Sequence, residues 1–448
     1  MPKNYETDLT NGPLLKKIIR FSLPLMFTSI LQLLYNAADV VVVGAFAGDA
    51  SLAAVGSTGA LTNLIVNLFM GMGTGTSVIV AQSIGARDSE KLCKTVHTSI
   101  AVSLILGVVL GIFGFFASKG MLVLMDSPPD VLPKATVYVK IYFLGLPALM
   151  VYNFGAAIIR SAGDTKRPLI ILGISGLVNV LLNLVFVILF KMDVAGVALA
   201  TIISQYLSAI AIVHKLTHDD AAYRLSLSEL KIHKKELLGV LKYGIPMGIQ
   251  NSMFSISNVI IQSSINSFGK IVMAGNAAAA SIDGFVFAAT DSGAQASITF
   301  AGQNAGAKKY DRVKKSLFLC IGLSTVMGIL FGVLAIIFKN PLLSLYSDTP
   351  EAITAGAVRI NIMCSIYFTC GIMNAIGNAV RGMGKSVVPM IITMFFVCVF
   401  RIIWIYTILP LNNTPATVYI SYPISWVLAI IAHFTYFLIV YNSQKKKA

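Results

Sequence analysis

The residues with the clearest chemical potential are carboxylates that interrupt strongly apolar segments. Asp39 is the only charged residue in the run of residues 21–48. An ionised carboxylate inside a bilayer costs about 2.5–3.5 kcal/mol on insertion scales, so it needs a partner, a proton or a cation. Gln32, Asn36 and Asp39 recur at steps of four and three, with Tyr35 beside them, which places them along one stripe of a helix. We expect that stripe to face the interior of a helical bundle.

Two later apolar segments carry polar side chains at helical spacing. Ser175, Asn179 and Asn183 recur at i, i+4 and i+8, and Thr201 follows in the next segment. Together with Asp39 they would supply one carboxylate, two amide oxygens and a hydroxyl, which suits a dehydrated sodium ion or a proton on a desolvated acid. The amides and hydroxyls would equally serve as interhelical hydrogen bonds. The residues alone leave both interpretations open.

A second acidic set lies in the other half of the chain. Asp283 and Asp291 are eight residues apart, hence within about 80° of each other around a helix. Asn251 and Asn258 belong to a polar stripe on the preceding segment. Two arrangements are expected here. Either Arg401 neutralises one of the acids, or an acid meets a cationic substrate or relays a proton.

Methionine and aromatic side chains recur near both polar sets. Met70, Tyr152, Met253 and Phe287 would form an adaptable wall for flat amphipathic molecules, because methionine changes shape readily and aromatic faces attract cations. Ordinary helix packing is the alternative for each of them. The sequence does not separate these two roles.

The composition indicates what must position these residues. The 448 residues include 34 Lys and Arg and 19 Asp and Glu, so charged residues make up 12 %, against about 25 % in soluble domains. Five uncharged stretches each exceed the roughly 18 residues of a transmembrane candidate. We read twelve spans joined by short loops, which excludes a soluble enzyme and leaves no room for a separate soluble domain.

The positive charges are distributed very unevenly between alternate loops. With the N-terminus in the cytoplasm, the inner loops and tails hold 26 Lys and Arg and the outer loops hold 4. This predicts a multi-pass protein of the cell membrane with both termini cytoplasmic. The net charge of +15 then reflects orientation and attraction to anionic lipid, so no nucleic-acid partner is expected.

The sequence repeats itself at a nearly constant offset. Ala81–Ala86 matches Gly302–Ala307, and Arg160–Gly163 matches Arg381–Gly384, each 221 residues apart, while the first prolines are 222 apart. Six spans in each half make the repeats parallel, an arrangement found in transporters. We predict a first lobe over residues 1–213, a cytoplasmic linker over 214–236 and a second lobe over 237–448.

Two motifs that would indicate other chemistry are incomplete. His214 and His218 have a spacing that suits a metal on one helix face, but we interpret them as a solvated helix end. Gly382–Ser386 resembles the end of a phosphate-binding loop, yet Ala379 stands where the first glycine is required. We therefore expect neither an enzyme nor a bound cofactor or metal, apart from a possible sodium ion at Asp39.

Several of these residues form motifs that resemble those of a known family. Tyr35-Asn36 with Asp39, the Gln-x-x-Gly-Ala elements and the two Arg-x-x-Gly elements are similar to those of multidrug and toxic compound extrusion (MATE) transporters. The resemblance covers essentially the whole chain. It implies an all-α, V-shaped molecule of twelve helices in two pseudo-symmetric six-helix lobes. Such a molecule exports organic cations and other amphipathic compounds in exchange for sodium ions or protons by alternating access.

The resemblance also assigns roles to individual residues. Asp39 matches the family's first-span acid, Asn179 its fifth-span asparagine, Thr201 its sixth-span hydroxyl and Asp283 an acid of the eighth span. Many relatives carry a second acid in the fifth span where this chain has Asn183. Loss of that carboxylate weakens the expectation of tight sodium binding, whereas proton coupling through the first-span acid survives. We therefore lean slightly toward protons.

The alternative function is a flippase for lipid-linked precursors, which has a related fold. Its cavity would need cationic groups for the diphosphate, and the candidates are Lys140, Arg359 and Arg401. Few intramembrane positive charges and only twelve spans argue against it. We expect a monomer with small amphipathic substrates.

Overall fold

The computed structural model describes residues 8–46, 49–125 and 128–447, and these ranges are almost entirely helical. Two short π-helical segments, Val185–Leu189 and Met394–Val399, and two 3₁₀ turns, Leu227–Glu229 and Leu409–Leu411, interrupt the α-helices. In chain order, the α-helices are α1 (Leu14–Phe46), α2 (Asp49–Gly85), α3 (Ser89–Leu124), α4 (Leu132–Leu144), α5 (Leu146–Ser161), α6 (Lys166–Leu184), α7 (Asp193–His218), α8 (Lys234–Asn266), α9 (Lys270–Gly306), α10 (Tyr310–Ile337), α11 (Lys339–Ser344), α12 (Pro350–Ile366), α13 (Phe368–Gly382), α14 (Val387–Thr393), α15 (Phe400–Thr407) and α16 (Pro415–Lys445).

Each expected span coincides with one long helix or one broken helix. In the described ranges, eight segments are long and apolar enough to cross a membrane: α1, α3, α6 with its π extension, α7, α9, α10, Val387–Leu411 and α16. The pairs α4–α5 and α12–α13 satisfy the same criterion together, with bends of 45° and 48°. Helices α2 and α8 have 37 and 33 residues, which is long enough to span a membrane, and α8 is the less apolar of the two.

Turns at equivalent places in the two halves have the same backbone geometry. Arg87 and Lys308, which follow the two Gln-x-x-Gly-Ala elements, have φ of 56° and 58°. Gly163 and Gly384, which end the two Arg-x-x-Gly elements, have φ of 98° and 83°. All four values lie in the left-handed region, and at the last two positions glycine avoids the clash of a Cβ atom. All four positions repeat at the offset of 221 residues, so the duplication is present in the backbone as well as in the sequence.

The chain divides into two compact units, and three of the boundaries between them fall inside helices. Unit 1 contains Phe27–Ile84 and Asp88–Gly248, and unit 2 contains Leu9–Met26, Gly85–Arg87 and the residues from Ile249 onward. The first part of α1 therefore belongs to unit 2 and the first part of α8 to unit 1. The lobe boundaries predicted at 213/214 and 236/237 describe the sequence repeat and remain a prediction.

Unit 1 is held together partly by a close crossing of α2 and α8. A Cβ atom on Gly71 would lie 2.2 Å from the backbone nitrogen of Gly248, so the two backbones approach as only small residues permit. The segment after α7 also packs onto this unit. The Ser226 backbone N–H donates to His97 Nε2 at 3.0 Å, and the buried Tyr223 donates to Asp219. Much of the predicted linker is thus attached to unit 1.

Unit 2 has a core of its own. Phe21 of α1 meets Phe300 of α9 edge to face, with ring centroids 5.6 Å apart. Leu9, just before α1, is 1 % exposed in the same cluster. Its backbone N–H donates to Gln303 and its carbonyl accepts from Arg312. These bonds tie the start of α1 to α9 and α10.

Candidate functional site

Unit 1 contains an open cavity of about 370 Å³ between α1, α2 and α4–α7. We call it the Asp39 cavity, because Asp39 is the only charged side chain among the described residues that line it. Eight of the residues predicted from the sequence line this cavity: Gln32, Tyr35, Asn36, Asp39, Met70, Tyr152, Asn179 and Thr201. The helical spacing that suggested one polar stripe thus brings its members to one place.

A short chain of hydrogen bonds leads from the carboxylate to α7. Asn183 Nδ2 donates to Asp39 Oδ1 at 2.5 Å and to Asn179 Oδ1 at 3.4 Å. Asn179 Nδ2 donates in turn to Thr201 Oγ1 at 3.4 Å, and Thr201 donates to the Val197 carbonyl at 2.9 Å. The bond to the carboxylate is the short one, as expected for a charged acceptor. All five predicted ion-coupling residues therefore lie in or beside the cavity, with Asn36 on its wall.

The electrostatics of this carboxylate are unusual for a membrane interior. In the part of the chain that the structure describes, no Lys, Arg or His nitrogen lies within 4.0 Å of Asp39. Its hydrogen-bonding partner Asn183 is fully buried, and the Oδ1 atom of that asparagine has no hydrogen-bond partner there. A carboxylate that is held only by a neutral amide can change its charge state by taking up a proton or a cation.

The cavity also has an aromatic wall that the sequence only partly predicted. Tyr35 donates to the Gly173 carbonyl at 3.0 Å. A Cβ atom on Gly176 would lie only 1.9 Å from the Tyr35 ring, so glycine lets the ring lie against α6. Tyr138 and Tyr142 stack with centroids 6.3 Å apart and were not predicted. Their i, i+4 spacing was the available signal, but aromatic pairs of this kind usually only pack.

The hydroxyls nearby have a structural role. Ser208 donates to Ser175 Oγ at 2.6 Å and so links α7 to α6. Ser175 donates to the Ile171 carbonyl, and Ser204 donates to the Thr201 carbonyl. The Ser208–Ser175 bond fits the interhelical interpretation, whereas Ser204 bonds within its own helix.

In unit 2, Asp283 is paired with an arginine. Arg359 Nε donates to Asp283 Oδ2 at 2.7 Å, and Arg359 Nη1 donates to Asn276 Oδ1 at 2.7 Å. Cys364 Sγ lies 3.4 Å from the other carboxylate oxygen. The expectation that Arg401 neutralises an acid of α9 is wrong, because Arg359 on α12 does so and Arg401 has no described carboxylate within 4.0 Å.

The second acid of α9 has only amide partners among the described residues. Asn374 Nδ2 donates to Asp291 Oδ1 at 3.0 Å, and Gln295 Nε2 donates to Asp291 Oδ2 at 2.9 Å. Nearby Arg381 is bound to Gln250 and Asn378, at 2.6 and 2.8 Å.

The other predicted residues of the second half lie on α8 and α9. Asn251, Met253 and Asn258 are on α8, and Phe287 is on α9. Asn258 is exposed, and Phe287 is 40 % exposed with its ring centroid 6.4 Å from that of Tyr367. Their substrate contacts remain predictions.

The histidine pair ends α7, as the sequence suggested. His214 and His218 are exposed, with ring centroids 4.1 Å apart. Asp219, which follows them, accepts from Lys215 at 2.8 Å. Within the described ranges, no three His, Cys, Asp or Glu side chains come together as a metal site would require.

Comparison with known proteins agrees with this architecture. The sequence profile of the MatE family matches residues 24–185 and again residues 246–407, two matches that are 222 residues apart, as are the first prolines of the repeat. The chain is 26 % identical over 442 residues to the probable multidrug resistance protein YoeA of Bacillus subtilis, covering 95 % of this chain and 94 % of that protein. It is 23 % identical to the probable multidrug resistance protein NorM of Thermotoga maritima, covering 89 % and 87 %.

The solved structures show the same fold. A crystal structure of a MATE protein in complex with MaL6 superposes with a TM-score of 0.92 at 24 % identity, covering 98 % of each chain. An outward-facing MATE transporter gives a TM-score of 0.90 at 23 % identity, with the same coverage. These matches confirm the predicted all-α membrane fold of twelve helices. The repeat, the helices and the two profile matches together establish that this chain belongs to the MatE family of membrane transporters.

Proposed function

We propose that the protein is a secondary active antiporter that exports organic cations and amphipathic drugs by alternating access, in exchange for protons or sodium ions. The observation that carries this proposal is the Asp39 cavity, in which one carboxylate without a basic partner among the described residues lies beside an aromatic wall. The multidrug names of the relatives support it.

The size and lining of the cavity suit such substrates. About 370 Å³ lies within the range of small-molecule sites, roughly 300–1,000 Å³. Met70, Tyr138 and Tyr142 offer apolar and aromatic surface, and Asp39 offers the single charge. A cation would be attracted both by the carboxylate and by the aromatic faces.

Substrate is exchanged for the coupling ion if Asp39 cannot bind the ion and the substrate at the same time. Protonation removes the negative charge that accepts the Asn183 hydrogen bond, and it removes the attraction for a cation. By linkage, a substrate that favours the ionised acid must then favour release of the ion to the same degree. The parallel repeat supplies two lobes for alternating access.

We propose protons ahead of sodium as the coupling ion. The amide nitrogen of Asn183 lies between the oxygens of Asp39 and Asn179, where a bound cation would otherwise be expected. We also propose that both termini are cytoplasmic and that the protein lies in the cell membrane as a monomer. The uneven distribution of Lys and Arg supports the orientation.

The test is transport in proteoliposomes with proton and sodium gradients imposed separately. A fluorescent organic cation should be driven by one gradient, and Asp39→Asn should abolish that drive. Asp220→Asn is the matched control, because Asp220 is fully exposed outside the membrane spans. Undiminished gradient-driven transport by Asp39→Asn would refute the proposed role of the carboxylate.

The flippase alternative has less support. Of its three candidate cations, Arg359 is occupied by Asp283, and Lys140 lies over the Phe115 ring at 5.3 Å. A diphosphate would usually require several free cationic groups.

A further inference from the structure

Arg401 is a buried cation in the middle of a membrane span. It lies two residues beyond Val399, the midpoint of the span Val387–Leu411, and it is 3 % exposed. The π-helical turn Met394–Val399 ends two residues before it, and such irregular turns are frequent at functional sites. A charged side chain at this depth normally has a counter-charge or lines a polar path.

The contacts of Arg401 leave part of its guanidinium unused. Its Nε donates to Ser425 Oγ at 2.9 Å, and its central carbon lies 3.8 Å from the centre of the Tyr422 ring. Its Nη2 is buried and has no hydrogen-bond partner among the described residues. A ring that stacks on the flat face of a guanidinium does not occupy the N–H groups, which radiate in its plane.

Two other arginines in the spans of unit 2, Arg359 and Arg381, show what an arginine with satisfied hydrogen bonds is like. Arg359 bonds to a carboxylate and an amide, and Arg381 bonds to two amide oxygens. Arg401 has only one hydroxyl oxygen. Of these three arginines, it alone combines a buried, unpartnered nitrogen with the lack of any amide or carboxylate acceptor in the described residues.

The neighbouring aromatic side chains add further donors. The ring of Trp426 lies 5.3 Å from that of Tyr367 and 6.0 Å from that of Tyr422. Neither of these two tyrosine hydroxyls nor the Trp426 indole N–H makes a hydrogen bond to any described residue. We call Arg401, Tyr367, Tyr422 and Trp426 the Arg401 cluster. It is rich in donors, it is aromatic, and it contains no carboxylate.

We propose that the Arg401 cluster is an anion-recognition site for the carboxylate of aromatic amphipathic compounds. A carboxylate can accept two parallel N–H bonds from a guanidinium, and an aromatic body can stack on the tryptophan and tyrosine rings. The inference deepens the proposed transport function, on which it rests for the role of the compound as a substrate. It extends the substrate class from cations to compounds that carry a carboxylate.

The fluorescence of Trp426 can report binding to the Arg401 cluster. The chain has two tryptophans, Trp404 and Trp426, so Trp404→Phe leaves the indole of the cluster as the only one. The purified single-tryptophan protein is titrated with 4-biphenylcarboxylate and, separately, with its methyl ester. The ester has no carboxylate to pair with the Arg401 guanidinium, so the acid should bind at least about tenfold more tightly than the ester.

Variants then test whether Arg401 causes that preference. In Arg401→Gln the ratio of the two affinities should fall to about one. Arg401→Lys should give an intermediate ratio, because lysine keeps the positive charge but cannot donate the two parallel N–H bonds of a guanidinium. Arg381→Gln is the matched control, a buried arginine with satisfied partners, and it should keep the full ratio. If Arg401→Gln does not fold, judged by gel filtration, a ratio in Arg401→Lys equal to that of the parent overturns the proposal.

The remaining outcomes are equally decisive. Equal binding of acid and ester by the parent protein, or a preference that persists in Arg401→Gln, overturns the proposal. A response to chloride or pyrophosphate that the biphenyl acid cannot compete away also overturns it, since the anion would then be inorganic. Arg401-dependent binding of the acid without its export from proteoliposomes would leave the binding site intact but overturn the extension of the substrate class to carboxylates, whereas loss of export of the organic cation would contradict the proposed function.

Discussion

Asp39 of unit 1 and Asp283 of unit 2 are held in opposite ways. In unit 1, Asp39 is held by the neutral amide of Asn183 and borders a cavity. In unit 2, Asp283 is 2 % exposed and is paired with Arg359. The residue 221 positions before Arg359 is Tyr138, which lines the Asp39 cavity. Equivalent positions of the repeat thus supply a cation in one half and a phenol in the other.

This difference indicates how a duplicated frame can place acids in different electrostatic environments. An acid that is paired with a guanidinium has its charge balanced permanently, and separating the pair is costly. An acid held by an amide can alternate between charge states at little structural cost. The duplication kept the helices and turns in both halves, while each acid has its own partners. Asp291 of unit 2 also has only amide partners among the described residues, so the contrast is between Asp39 and Asp283 and not between two whole units.

Breaking the ion pair of unit 2 should have the largest effect on stability. Arg359→Ala leaves Asp283 as an uncompensated buried charge, which we expect to lower the free energy of unfolding by about 3–5 kcal/mol. The double variant Arg359→Gln with Asp283→Asn should recover most of that loss, because no charge is left unpaired. Thermal unfolding in detergent measures both. A single variant as stable as the double variant would show that the pair does not balance charge.

Adding an acid to unit 1 should change the ion that the protein uses. Asn183→Asp places a second carboxylate beside Asp39, which provides the charge and oxygen ligands that favour sodium. We expect substrate export to become stimulated by a sodium gradient that has no effect on the parent protein. Proteoliposome transport at fixed pH measures this. An unchanged response to sodium would mean that the amide of Asn183 is not what excludes the ion.

Filling the space beside Tyr35 should affect the Asp39 cavity without disturbing the charges. Gly176→Ala puts a Cβ atom within 1.9 Å of the Tyr35 ring, so the ring must move. We expect a loss of stability of about 1–3 kcal/mol and weaker substrate binding. Gly173→Ala on the same helix is the control, because its nearest side-chain atom, on Leu31, is 4.0 Å away. Equal substrate affinity in the two variants would contradict a role for the tyrosine ring in binding.

Much of the fold could be predicted from hydropathy and the repeat, because both are properties of continuous segments. The polar stripe of α1 was also predictable, since Gln32, Asn36 and Asp39 share a helix face by spacing alone. The breaks at Gly145 and Tyr367, which bend two spans, were not predicted. Pro147, in the first turn of α5, was an available signal for the first break, because proline disfavours a continuous helix. Tyr367 is not accompanied by a proline.

Partners across helices were the part that sequence could not provide. Arg359 and Arg401 both lie in apolar segments, and their spacing relative to Asp283 says nothing about which one reaches it. The choice depends on which helix packs against α9 and how it is rotated. The same limit explains why the donors around Trp426, contributed by three separate spans, were not recognised as one cluster.

The most direct test of the central claim measures protons released when substrate binds. An organic cation is added to the purified protein in weakly buffered detergent solution that contains a pH-sensitive dye. If Asp39 exchanges a proton for substrate, the wild-type protein should release protons in proportion to the substrate bound, and Asp39→Asn should release none. Proton release by Asp39→Asn equal to that of the wild type, at equal substrate binding, would contradict the account.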